Sequence, residues 1–318
     1  MISHILEKMY KRVAYRRYGE REDRCYFSHS DFSGVNMEKY SFKNKWGEDL
    51  SAYFYYPDNE IDGRIILFEH GLGAGHQSYM RQIVTLVNNG YRVFTYDHTG
   101  CGASAGESIK GLVGSLCDLD FCLRALKSDS KYADKRVSVI GHSWGGFSAM
   151  NIAKLHPELE CVVAMSGFRS LDAILRQIMT GFKKPFIPKI FALEERVNPE
   201  YVSFDGGESL SATDCRVLMI HSDDDAVVSK KIHFDTLQLE LANKPNIKFL
   251  SLCGKGHDIT LSESAMKYIR EFRLLYKKES KKLKTKEAKR AFVKSFDWYK
   301  MTEQDTELWS VIFDFLDS

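Results

Sequence analysis

Six short runs of β-branched and apolar residues recur along the chain, and segments of helical length such as 77–89, 112–127 and 143–155 lie between them. The runs are Arg64-Ile-Ile-Leu-Phe, Tyr91-Arg-Val-Phe-Thr-Tyr, Arg136-Val-Ser-Val-Ile, Cys161-Val-Val-Ala-Met, Arg216-Val-Leu-Met-Ile and Asn246-Ile-Lys-Phe-Leu-Ser-Leu. Nearly continuous apolar runs of this length suit strands covered on both faces. Strand–helix alternation then requires a mostly parallel sheet with right-handed crossovers and helices on both faces, an α/β architecture. Ahead of it, Met37-Glu-Lys-Tyr-Ser-Phe and Leu50-Ser-Ala-Tyr-Phe-Tyr-Tyr alternate more plainly and read as an antiparallel pair at the sheet edge. The rhythm breaks once. From 168 to 214 there is no convincing strand, only helical patches and prolines at 185 and 188, which reads as an insertion above the carboxyl ends of the strands.

A chain of 318 residues with 44% hydrophobic side chains, 20 Phe and 16 Tyr can bury a substantial core. Its 45 basic and 43 acidic residues leave a formal charge of +2, which gives no electrostatic basis for a nucleic-acid partner. The seven cysteines form no C-x-x-C pair and no zinc spacing, and several sit in apolar runs, as buried reduced thiols of a cytoplasmic protein would. No secretory leader is expected: Ile2, Ile5, Leu6, Met9 and Val13 share a helical face, but Lys8, Lys11 and Arg12 interrupt any apolar core. Such a basic amphipathic helix can lie on a membrane surface; because its stripe is narrow, packing on its own domain is the favoured reading. No run approaches the ~20 apolar residues of a membrane span.

The chemistry is concentrated at Gly141-His-Ser143-Trp-Gly145-Gly146, directly after a strand and before a helical segment. A G-x-S-x-G pattern is weak by itself, but at a strand-to-helix turn small neighbours let the chain bend sharply and lift the Ser143 hydroxyl above the sheet. The turn also leaves the Trp144 amide at a helix N-terminus, where it can stabilise an oxyanion. His70-Gly-Leu-Gly-Ala-Gly75 follows another strand. It lacks the Lys-Ser/Thr of a phosphate loop and the acidic ribose contact of a dinucleotide site, and suits an oxyanion loop with the Leu72 amide as second donor. Serine needs a base. Of ten histidines, His257 in Gly254-Lys-Gly-His-Asp258 lies on a loop after the last strand, whereas His98 sits in a glycine turn and could only line a pocket. The orienting carboxylate should come from Asp223, Asp224 or Asp225, after the preceding strand, giving the order Ser, Asp, His.

The glycine-rich loop, the Asp97-x-x-Gly100-x-Gly102-x-Ser104 turn, the elbow, the Asp loop and the His loop occur in that order. In this the chain from about 36 to 276 resembles the α/β-hydrolase superfamily. Within it the chain is similar to the monoglyceride-lipase, lysophospholipase and serine-aminopeptidase-like group, which carries a helical lid where 168–214 lie. The resemblance implies hydrolysis of an ester, thioester or amide through an acyl-enzyme, by Ser143, His257 and an aspartate, with neither metal nor organic cofactor. It also supplies a register. The family's acid commonly stands three residues before an anchoring apolar residue, as Asp225 does before Val228, and the other two aspartates should then face solvent or cap the helix near Ser229. An aminopeptidase, amidase or acyltransferase using the same triad is the alternative, and a non-catalytic binding protein the rival of another class. The expected organisation is an N-terminal helical extension at 1–35, core at 36–167, helical lid at 168–214, core at 215–276, and a lysine-rich segment with a helical tail at 277–318. Leu72, His142, Phe168, Ile178 and Phe182 are the candidate substrate-binding residues, the last two from the apolar stripe of the lid, which would favour a small-molecule substrate with an apolar acyl group or alcohol. Glu194 and Glu195 would bind an α-amino group in an aminopeptidase; a solvated helix face is the preferred reading. In the tail, Leu308, Val311, Ile312, Phe315 and Leu316 form a stripe that either docks on the same subunit, near the N-terminal helix, or makes a homodimer contact.

Overall fold

The computed structural model describes every residue except Met1, Asp62 and Ala74, and of Ile2 and Ser3 only the backbone. Eight strands, β1 (Asn36–Lys43), β2 (Asp49–Tyr56), β3 (Arg64–Glu69), β4 (Arg92–Tyr96), β5 (Arg136–His142), β6 (Cys161–Met165), β7 (Arg216–Ser222) and β8 (Ile247–Leu252), form one sheet. Their order is β1-β2-β4-β3-β5-β6-β7-β8. The pairs β1–β2 and β2–β4 are antiparallel and all others parallel, so the two alternating strands form the edge and the apolar runs the centre. All five residues of β6 and all but the first of β3 are buried, as strands covered on both faces must be. This is the α/β-hydrolase fold.

Twelve helices surround the sheet among the described residues: α1 (Ile2–Ala14), α2 (Met80–Asn88), α3 (Gly114–Ser128), α4 (Trp144–Ile152), α5 (Leu171–Ile178), α6 (Ile187–Glu195), α7 (Gly206–Ser211), α8 (Lys230–Glu240), α9 (Glu263–Glu279), α10 (Lys286–Lys294), α11 (Trp298–Met301) and α12 (Thr306–Asp317). Residues of α1, α3, α4 and α8 fill the core on one face, where Leu116, Phe147 and Phe234 meet. Residues of α2, α9 and α12 fill the other, around Ile83, Phe272 and Trp309. None of these helices is long and apolar enough to cross a membrane.

The chain ends are used differently from their hydrophobic patterns. In α1, Ile5, Met9 and Val13 stay exposed, while Tyr10 and Ala14 are buried and the Tyr10 hydroxyl donates to the Glu194 carboxylate. The tail docks on its own subunit, on the face opposite α1. Leu308, Trp309, Ile312, Phe315 and Leu316 are buried there, and Val311 points to solvent. Arg64 and Tyr91 donate to the Asp317 carboxylate at 2.9 and 2.6 Å, closing the last turn against the strand ends.

The segment after α1 becomes an arm lying across the loops at the carboxyl ends of the strands. The Tyr18 amide donates to Gly100 O (2.8 Å), and the Gly102 amide donates back to Tyr18 O (3.1 Å). The Arg17 guanidinium grips Gly106 O and Gly102 O at 2.7 and 2.8 Å. Further on, Phe27 packs on Tyr299 of α11, with ring centroids 4.8 Å apart.

Candidate active site

Ser143 ends β5 and precedes α4 with φ 59° and ψ −113°, a left-handed conformation that costs a non-glycine residue roughly 1 kcal/mol or more. The glycines beside it are there for space. A methyl group on Gly141 would run into the Gly145 carbonyl, and one on Gly145 into the carbonyl of Glu69. The Ser143 amide donates to Met165 O at 2.8 Å, which ties the turn to the neighbouring strand.

Three expected residues come together above it. Ser143 Oγ lies 2.8 Å from His257 Nε2, and His257 Nδ1 lies 2.8 Å from Asp225 Oδ2. Asp225 is nearly buried; its Oδ1 accepts the amides of Val227 and Val228 at 2.8 and 3.0 Å, and His221 Nε2 stands 3.2 Å from its Oδ2. Burial pushes this carboxyl's pKa up, but the hydrogen bonds from His221 and His257 outweigh it, and the net position is far below the usual carboxylate range. Asp225 is therefore ionised at any working pH.

Asp223 and Asp224 are exposed, as expected, but they do not cap α8. Asp223 Oδ1 accepts the Gly254 amide at 3.1 Å, and Asp224 Oδ1 accepts the Gly256 amide at 2.7 Å. They hold the loop that carries His257, because Gly254 and Gly256 adopt φ values of 71° and 62° and turn their amides toward the Asp loop.

His142 is buried at the floor of the cleft. Its Nε2–H donates to the His257 carbonyl at 2.8 Å, and its Nδ1 accepts the Tyr79 hydroxyl at 2.9 Å. Burial, then the neighbouring His257, lowers its pKa to about 4, so the ring is neutral. The Ser166 hydroxyl donates to the same His257 carbonyl at 3.1 Å. Sequence reasoning missed Tyr79 and Ser166 as partners of the His loop. Ser166, at φ 50° directly after β6, follows a strand end that could have drawn attention to it.

The amide of Trp144 stands at the first position of α4, where a helix offers no acceptor, and Leu72 lines the cleft beside Ser143. That cleft encloses about 400 Å³. Its floor is formed by residues 71–73, 78–79, 142–143 and 257–258, and its opposite wall by the N-terminal arm, residues 16–21, 24 and 26. No described residue of 168–214 lines it. Phe168 is buried, stacked on Phe147 at 4.6 Å; Ile178 and Phe182 are exposed, at 49% and 70%. The insertion instead buries Leu171, Ile174 and Leu175 on the α4–α8 side, so its stripe serves ordinary packing. Glu194 is neither a solvated residue nor near the cleft. It is fully buried, accepts the Leu112 amide at 2.9 Å, and burial raises its pKa to about 7. His98 is likewise no pocket wall: it is sealed between Glu69 (3.1 Å) and Asp118 (3.3 Å).

The family model described as "Serine aminopeptidase, S33" matches residues 60–206, which include Ser143 and end before Asp225 and His257. The AB hydrolase superfamily protein YfhM of Bacillus subtilis is 32% identical over 111 residues, covering 33% of this chain and 36% of that protein. Esterase YjfP of Escherichia coli is 25% identical over 196 residues, 57% of this chain and 76% of that protein. The chain thus spans about a third of the first relative's length and three quarters of the second's. Among solved structures, an esterase of Pyrococcus furiosus superposes with a TM-score of 0.60 at 19% identity, covering 83% of this chain and 98% of that one.

Proposed function

The chain has the α/β-hydrolase fold, and we propose that it is a hydrolase that cleaves carboxylic esters through an acyl-enzyme on Ser143. One observation carries the reading: a single imidazole bridges Ser143 Oγ and Asp225 Oδ2, both at 2.8 Å, above a strained elbow. In the first half-reaction His257 Nε2 takes the Ser143 proton while Oγ attacks the carbonyl carbon. The resulting oxyanion is held by the amides of Leu72 and Trp144. His257 then gives its proton to the alcohol oxygen as the C–O bond breaks. Water repeats the sequence: His257 takes its proton, the hydroxide oxygen bonds to the acyl carbon, and the proton returns to Ser143 Oγ as the acid leaves. Asp225 keeps Nδ1 protonated and stabilises the imidazolium in both halves.

Amide or peptide hydrolysis by the same residues is the second reading, favoured by the description of the matching family model. Two features support the ester reading over it. Glu194, the carboxylate suited to an α-ammonium group, is sealed against Tyr10 and Leu112. The cleft lining carries Arg16, Arg17, Arg21 and Arg24 against the two carboxylates Glu20 and Asp258, an excess of positive charge that disfavours an ammonium.

The test is labelling by a fluorophosphonate, together with turnover of p-nitrophenyl esters and aminoacyl anilides. Ser143→Ala should abolish labelling and lower kcat by about 10³-fold or more in a folded protein. More than a tenth of wild-type kcat in that variant, or faster anilide than ester cleavage by the wild type, would refute the assignment.

A further inference from the structure

The lysine-rich part of the chain folds into the end of α9, a short turn and α10. With all of α9 included, residues 263–294 hold twelve of the chain's 45 basic residues but only four of its 43 acidic ones, so the rest of the chain is net acidic. Four of these cations have a carboxylate partner. Lys282 pairs with Glu279 at 2.9 Å, Lys286 and Lys289 share Glu22 at 3.7 Å, and Arg273 stands 3.9 Å from Asp258. The other eight, among them Lys267, Arg270, Lys277, Lys278, Arg290 and Lys294, have no carboxylate within ion-pair distance among the described residues.

Helical periodicity places an apolar residue at the centre of this charge. Ala265 and Phe272 point from α9 into the body, and Leu274 stands on the opposite side, 71% exposed. On the same face lie Lys267 two turns back, Arg270 one turn back, and Lys277 and Lys278 one turn on, all exposed, with Glu271 the single acid between 267 and 278. Leu275 beside it is 45% exposed. A leucine left in water contributes nothing to the core, and unanswered lysines contribute nothing to the fold. Both gain free energy only against a partner that is apolar beneath an anionic layer. A second copy of the same face would set like charges against each other. A nucleic acid would answer the cations and leave Leu274 without a contact. A bilayer with anionic headgroups answers both: phosphates meet the ammonium groups, Leu274 enters the headgroup boundary, and the lysine stems lie along apolar surface with their charged ends in water.

We propose that the outer face of α9 docks on an anionic lipid surface, with Leu274 as the inserted residue. Lys281 and Lys284 of the following turn and the cations of α10 add to the field. The segment lies outside residues 60–206, so the matching family model does not include this face. α10 also abuts the arm, because Arg290 and Lys294 share a depression with Arg21, Arg24, Glu20 and Glu22. The basic surface thus reaches the arm that walls the Ser143 cleft. The inference does not depend on Ser143 being the nucleophile.

Co-sedimentation of the full chain with vesicles tests it. Vesicles of phosphatidylcholine and phosphatidylglycerol at about two to one should bind at least about tenfold more tightly than phosphatidylcholine alone at about 0.1 M salt, and the excess should vanish toward about 0.5 M. Replacing Lys277 and Lys278 together by Gln should weaken binding to the anionic vesicles by about 25-fold, about fivefold for each charge removed. Leu274→Ser should weaken it by about fivefold or more and leave its salt dependence unchanged. These side chains neither belong to the packed core nor line the cleft, so the melting temperature and the hydrolysis of a soluble p-nitrophenyl ester should stay close to wild type. Equal binding to the two kinds of vesicle, binding to neither, or an unaltered affinity in Leu274→Ser overturns the proposal. Polyuridylate serves as an anionic polymer with no apolar layer. Tighter binding to it than to the anionic vesicles, at equal concentrations of anionic groups, would make the face one for nucleic acid and likewise overturn the inference.

Discussion

The three adjacent aspartates allow a test in which position alone decides the outcome. Asp225 is buried and receives four groups: Nδ1–H of His257, Nε2 of His221, and the amides of Val227 and Val228. An asparagine there keeps one carbonyl oxygen for the two amides but turns an NH2 toward His257 Nδ1. The ring then has to accept at Nδ1, which leaves the proton on Nε2, where it blocks transfer from Ser143. The expected loss is about 10³- to 10⁴-fold in kcat near neutral pH. At Asp224 the same substitution keeps a carbonyl oxygen within reach of the Gly256 amide, now 2.7 Å away, and the site is exposed. One neutral hydrogen bond replacing a charge-assisted one amounts to about 1 kcal/mol, so the productive loop position falls by about fivefold. Asp223, bonded to Gly254 at 3.1 Å, should matter no more than that. The assay is steady-state hydrolysis of one p-nitrophenyl ester by the three variants, with a thermal melt of each to establish folding. A larger loss at Asp224 or Asp223 than at Asp225, or more than a tenth of kcat retained in Asp225→Asn, would refute the reasoning.

Two further outcomes follow from close packing and from buried histidines. A methyl group on Gly71 would meet the Tyr79 hydroxyl and lie 3.3 Å from both His142 O and Ser143 Cβ, so Gly71→Ala should shift the oxyanion loop and lower kcat by about 10²-fold. Wild-type kcat in that variant would show that the loop takes no part. His70, His142 and His233 have pKa values lowered by burial from 6.5 to about 3, 4 and 4, so below pH 6.5 the unfolded chain binds protons that the folded chain refuses. Their contribution to stability is complete above pH 6.5 and is lost as pH falls toward 4. Glu194, raised to about 7, acts in the opposite sense, but it is one group against three. His98, raised to about 9, is protonated throughout this window and leaves the acid limb unchanged. The melting temperature should therefore drop steadily from pH 6.5 to 4.5, and a flat profile would refute this account.

What was legible in the sequence is what local pattern determines. The eight strands announce themselves as apolar or alternating runs because each must bury one face or two, and the elbow is legible because only glycine fits at 141 and 145. His257 and the run Asp223–Asp225 follow from chain order once the elbow is placed, and the register of the family resemblance selects Asp225. What was not legible depends on distant partners. The arm 16–26, Arg-Arg-Tyr-Gly-Glu-Arg-Glu-Asp-Arg-Cys-Tyr read from Arg16, has no periodicity and resembles a solvated loop. Its position over Ser143 comes from backbone bonds to the glycine turn at 100–106, which no local pattern records. Glu194 looks like a surface charge on a helix until Tyr10 and the 112–113 amides close around it. Ile178 and Phe182 fit a helical stripe, yet the helix ends at Ile178 and the stripe loses its face there.

The C-terminal extension explains why the arm rather than the insertion covers the nucleophile. The chain leaves the His loop at Thr260–Ser262 and returns to the same place after α11. The Asp305 amide donates to Thr260 O at 2.8 Å, and the Ser262 amide donates to Glu303 O at 2.9 Å. Lys255, two residues before His257, pairs with Asp305 at 2.6 Å. The excursion α9–α11 is thus a closed loop inserted beside the His loop, and it packs into the second core through Phe272 of α9, Val293 of α10 and Trp298 and Met301 of α11. It is α12, with Leu308, Trp309, Ile312, Phe315 and Leu316, that seals the sheet after the excursion has closed. Between the excursion, α2 and the arm lies a cavity of about 310 Å³, and Phe27 and Tyr299 bring the arm to its rim. The arm is held at its other end by the Tyr18–Cys101 bridge, so it has to pass over Ser143 to reach α11. The position of the arm over the nucleophile is consequently set by one pair of contacts at the two ends of a short polar segment.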